Sequence, residues 1–247
     1  MLDQARQVIA HLKMHGADYA DIRIHLLDEA ENISTMKGDI EKCTLASHQG
    51  YGIRVLANGA WGFASSENMT LAAMIHTGEQ AIEKARAASA FIQQKISLAP
   101  KAVIKDTYVS PCQIDPFGVA IETKLARLLQ LDQQLAHERF DYWGASVDCY
   151  KRHIIYVDSE GSEIRRELIE LNARLYAYAK DIDGEQRRRT FTMPQLADGT
   201  TGWENILNDA QFDHTHRIRD ELLALLDAPE CEKEVCDVIL LPEMMAL

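Results

Sequence analysis

Apolar residues return every three or four positions in four stretches of the chain. Val8, Ile9 and Leu12 share one helical face, and Gly16 can take the left-handed conformation that closes a helix, so a helix is expected over about 3–15. Thr70 is placed to cap a second helix over 70–91, whose inner face carries Leu71, Met74, Ile75, Gly78, Ile82 and Ala85. Asp115-Pro116 opens a third over 116–137, with Ile121, Leu125, Leu128 and Leu135 turned inward. Ile218, Leu222, Leu225 and Leu226 mark a fourth over 215–227, stopped before Pro229.

Elsewhere the period drops to two. Ile22, Ile24 and Leu26 alternate with Arg23, His25 and Leu27, and residues 51–57 and 60–64 flank Asn58-Gly59, the dipeptide suited to a tight hairpin. Residues 145–150, 153–158 and 163–179 are separated by Lys151-Arg152 and Ser159-Glu160-Gly161; Asp183-Gly184 then turns the chain into 185–193. These make a second, antiparallel meander. Lys95 to Gln113 contains Pro100 and Pro111 without helical period and reads as an extended connector. The segment 235–241, VCDVILL, reads as a buried strand. The fold class is therefore expected to be α+β, with helices packed on mainly antiparallel sheets in two helix-plus-meander halves. The soft subdivision is 1–98 and 99–247.

Composition narrows the function. With 47% hydrophobic residues over 247 positions the chain can bury a full core, which excludes disorder. Its 38 acidic against 26 basic residues give a net charge of -12, which repels phosphate backbones and anionic lipid, so no nucleic acid and no membrane are expected as partners. No apolar run approaches the roughly 20 residues of a membrane span, and the amphipathic start does not read as a signal peptide. Five sparse cysteines fit reduced thiols, so a cytoplasmic protein is expected.

Several constellations invite chemistry and mostly decline it. His214 and His216 are usable ligands two residues apart, but they lack the rest of a closed set and suit helix capping better. Cys231 and Cys236 lie among carboxylates, which raise rather than lower a thiol pKa. Arg187, Arg188 and Arg189 alternate faces in a strand and cannot line one groove together. The glycines of 50–62 lack a phosphate anchor and mark hairpin geometry, and Ser47-His48 adjacency carries no weight on a strand. Arg54 and Trp61, on the hairpin, are the candidates to line a peptide channel; no catalytic residue and no metal ligand is assigned.

GADYADIRI, GYGIRVLANGAWGFASSENMT with AIEKARAAS, IDPFGVAIETKLARLLQLDQQL and YVDSEGSEIRREL together resemble the N-terminal half of the TldD/PmbA family, metallopeptidases also described as modulators of DNA gyrase. The resemblance implies a His-Glu-x-x-x-His zinc motif in a C-terminal catalytic domain. Here only His137-Glu138 occurs, followed by Asp141 and Tyr142 where a second histidine would stand, so that domain is expected to be absent from this chain. The function implied is that of a substrate-guiding N-terminal domain of a cytoplasmic zinc metallopeptidase acting on peptides or unfolded segments. The parent would hold zinc, this chain would hold no cofactor and be inactive alone, and a dimer with itself or a family partner is expected. The alternative is a non-catalytic scaffolding subunit resembling the family's metal-free partner. Direct action on DNA is disfavoured by the charge.

Overall fold

A computed structural model describes residues 1–192, 202–207, 210–229, 235 and 237–240. Helix α1 (Leu2–Met14) leads into two long strands, β1 (Tyr19–Met36) and β2 (Asp39–Ala57), joined by a turn in which Lys37 and Gly38 take φ of 56° and 85°. The Asn58-Gly59 turn, with φ of 55° and 83°, then returns β2 as β3 (Ala60–Ser66). Thr70 caps α2 (Leu71–Ser89) through the Ala73 N–H at 3.3 Å. A short strand β4 (Lys105–Val109) precedes a 3₁₀ turn at Pro116–Gly118 and helix α3 (Ile121–Leu135). Strands β5 (Tyr142–Asp158), β6 (Glu163–Lys180) and β7 (Gln186–Thr192) follow, then α4 (Glu204–Leu207) and α5 (Ala210–Leu226).

The fold is α+β. All seven strands join one sheet in the order β3-β2-β1-β5-β6-β4, with β7 also on β6, and only the β4–β6 pair is parallel. The two halves of the sequence are thus fused: β1 pairs with β5 from Asp21↔Asp158 to Met36↔Gly144. A single bulge in β1 near Leu26 resets its parity, so Ile22, Ile24 and Ile33 all face the helices. In β5 the odd residues do the same from Ala145 to Val157. One core lies under α1 and α2, around Ile22, Ile53 and Val157; the second lies under α3 and α5, around Ile33, Leu128, Val147 and Leu175. Gly62 sits where an added Cβ would come within 2.0 Å of the Ala81 carbonyl, so α2 lies directly on β3.

Four expectations change. The first strand and hairpin extend far beyond 22–27 and 51–57, because β1 buries polar groups there by pairing them: Glu31 meets the fully buried Lys124 of α3. Lys151-Arg152 does not break β5, since Lys151 reaches Asp115 at 2.6 Å and Arg152 reaches Glu170 at 3.0 Å. The helix expected from 116 pauses at Val119, in extended conformation, and begins properly at Ile121. The buried strand expected over 235–241 is not found among its described residues: Val235, Val238, Ile239 and Leu240 are exposed and without regular structure. Strands β1, β5 and β6 already have partners on both sides, leaving no interior slot for it. Cys231, Cys236 and Leu241 lie outside the described residues.

Candidate functional site

With the helices on one side, the even residues of β5 and β6 face the other way, onto a surface that the connector covers in part at one end and that is open at the other. At one end of it stand Arg54 and Trp61. The Arg54 guanidinium lies 5.2 Å from the Trp61 ring centre and grips the buried Asp21 carboxylate with Nε and Nη2, at 3.0 and 2.7 Å to Oδ2. That carboxylate raises the Arg54 pKa further, against the opposing effect of burial. Trp61 meets Tyr19 edge-on, and the Tyr19 and Tyr156 hydroxyls are 2.9 Å apart.

Lys101, in the connector, reaches over this cluster to the buried Asp158 at 2.6 Å and lies near both tyrosine hydroxyls. Burial would raise the Asp158 carboxyl, but Lys101, the Ser162 amide and hydroxyl and the Tyr156 hydroxyl outweigh it and hold the carboxyl at about 2. Burial and the Tyr156 hydrogen bond push Tyr19 well above the usual phenol range. The structure brings the two sequence candidates together and engages Arg54 within the chain; its side chain remains 42% exposed.

The other end holds a groove of about 640 Å³ across β2, β1, β5 and β6. Tyr178 packs edge-on against Tyr142 and Tyr176, at 6.1 and 6.0 Å. The Tyr176 hydroxyl donates to the Thr35 carbonyl at 3.0 Å, and burial with nearby Glu41 lifts its pKa to about 12. This crossing requires Gly144, where a Cβ would stand 2.1 Å from Thr35 O and 2.5 Å from the Tyr176 hydroxyl. Tyr176 and Tyr178 lie in the stretch 163–179 that reads as strand, but nothing in the sequence singles them out, and Lys42, Ser34 and Ser146 join them only through strand register. Beside the groove β2 forms an edge that is free among the described residues. β3 pairs only with residues 51–57, and residues 39–49 are all exposed.

The remaining candidates do not converge. Among the described residues no three His, Cys, Asp or Glu side chains could hold a metal. His214 stacks on Phe191 at 3.7 Å, and His216, two helical positions on, projects about 200° away from it. Arg187 pairs with Asp181 and Arg189 with Glu221. Cys149 is buried, which pushes its thiol up to about 12, far from a nucleophile. No helix among the described residues is long and apolar enough to cross a membrane.

Residues 28–89 match the first domain of the PmbA/TldA metallopeptidases. A metalloprotease of Methanocaldococcus jannaschii is 27% identical over 227 residues, covering 92% of this chain and 49% of that protein. The backbone follows a Thermotoga maritima protein described as a candidate modulator of a DNA gyrase with a TM-score of 0.68 at 15% identity, over 93% of this chain and 49% of that one. TldE from Thermococcus kodakarensis gives 0.58 at 12% identity, over 89% and 47%. The chain is similar to the N-terminal half of TldD/PmbA proteins in sequence and in fold. It spans about half the length of the curated relative it matches. The stretch matched to the first domain runs from the middle of β1 through β2 and β3 to the end of α2, so the free edge of β2 lies inside it.

Proposed function

We propose that this chain is the substrate-holding domain of a zinc metallopeptidase that takes peptides or unfolded segments in extended form. The observation that carries the proposal is the free edge at residues 39–50, a run of main-chain groups open to a further strand. Compact proteins usually blunt such an edge; here the bulge at Glu41 and the charges of Asp39, Glu41 and Lys42 do so at its start. Main-chain pairing gives affinity with little demand on sequence, which suits a broad peptidase. Arg54 and Trp61, on the face away from the helices, extend the path through the exposed part of the Arg54 side chain.

Zinc does not fit the described residues, for want of three converging ligands, so no hydrolytic step is assigned to them. The chemistry of the whole protein is assigned instead to residues beyond those described. The test is fluorescence anisotropy of a blocked, uncharged, extended peptide with the full chain. N-methylation at alternate peptide nitrogens should weaken binding at least tenfold, because it removes strand donors and keeps the side chains. Equal affinity for the methylated peptide would overturn the reading.

A further inference from the structure

The groove beside the edge carries donors that the chain leaves unused. At one register level Lys42, Ser34, Ser146 and Arg174 stand on four adjacent strands, through the pairs Ser34↔Lys42, Ser34↔Ser146 and Ser146↔Arg174. The Cα atoms of Lys42 and Arg174 are thus about 14 Å apart, within joint reach of two long side chains. The carboxylates of the groove are already accepting: Glu41 from the Ser34 hydroxyl at 2.8 Å, Asp148 from the Asn32 amide at 2.7 Å. Among the described residues neither Lys42 nor Arg174 makes an ion pair or hydrogen bond, and neither can accept one. The groove is left with donors in surplus, framed by tyrosine rings.

We infer that this groove binds a carboxylate-bearing side chain of an extended peptide, the carboxylate received between Lys42 and Arg174 and the neighbouring residue lying on Tyr176 and Tyr178. The carboxylates of Glu41 and Asp148 balance the two cations, so the groove is formally neutral on a chain of net charge -12, and the preference for an acidic side chain comes from the position of Lys42 and Arg174 rather than from a net positive field. The inference rests on the peptide-holding reading and adds a side-chain preference to it. The guanidinium fork suits a carboxylate, and the amphipathic tyrosines tolerate the solvent that fills the open groove.

The experiment titrates the full chain with a blocked peptide rich in glutamate and tyrosine and with its glutamine counterpart. The glutamate peptide should bind about tenfold tighter at low salt, the sum of two half-exposed ion pairs, and the advantage should shrink at high salt. Lys42→Gln and Arg174→Gln should each remove part of it and the double variant all of it, with circular dichroism unchanged because both sites are exposed. Equal binding of the two peptides, or an advantage that survives the double variant, overturns the inference. An N-methylated glutamate peptide separates the two claims. Loss of binding on methylation with no glutamate preference keeps the edge and removes the groove; a glutamate preference that ignores methylation keeps the groove and removes the edge.

Discussion

Asp158 shows how a single buried carboxylate ties the connector to the sheet. It accepts from Lys101 at 2.6 Å, from Tyr156 at 3.1 Å and from the amides of Glu160 and Ser162 at 2.9 Å each. Its folded pKa of about 2 lies below that of a free aspartate, so its stabilisation is full above about pH 4 and is lost as the pH falls toward 2. Lys101→Met should cost about 2 kcal/mol near neutrality and move acid unfolding to higher pH, read by thermal melts across that range. Parallel curves for the variant and the parent chain would contradict this. Arg54→Ala should cost about 3 kcal/mol by stranding the buried Asp21 carboxylate, and Arg54→Lys should recover only part, since an ammonium cannot supply the fork. Chemical denaturation of the three proteins measures both effects.

At the scale of elements, helices and short turns were legible because burial there follows a simple period: Leu128 and Leu135 in α3, or Asn58-Gly59 with its positive φ. The long arm of β1 and β2 was not. Its outer strand is exposed on both faces, and its inner strand buries Glu31 and Thr35 through partners distant in sequence and Ser34 through Glu41 across the hairpin, so no alternation survives. β4 was hidden for the same reason, all five of its residues being exposed. Of the candidate site, Arg54 and Trp61 were readable as a pair on a hairpin. Their engagement by Asp21 and the crossing of Lys101 needed the register of β1 and the path of the connector. Gly144→Ala tests how closely β1, β5 and Tyr176 are fitted. The added methyl has no room against Thr35 O, so a loss of about 2–4 kcal/mol and a lower thermal midpoint are expected, together with weaker peptide binding in the groove. A neutral effect on both would show that the strands can part at no cost.

For the whole molecule, one continuous sheet carries a helical layer on one face and the proposed peptide path on the other. The two cores stand side by side under one backbone ladder, and the pairing of β1 with β5 makes them unfold together. A single cooperative transition is expected by circular dichroism and tryptophan fluorescence; two separate transitions would assign the halves to independent units. A second copy or a related subunit would compete with peptide for the same edge, so added peptide should lower any concentration-dependent mass seen by light scattering. The central claim, that residues 39–50 receive an extended peptide by main-chain pairing, is tested most directly by hydrogen–deuterium exchange of the full chain with and without saturating peptide. The account predicts slowed exchange concentrated at residues 39–50, with the already paired amides of β5 unchanged. Saturation of the protein with no slowing along that edge would contradict it.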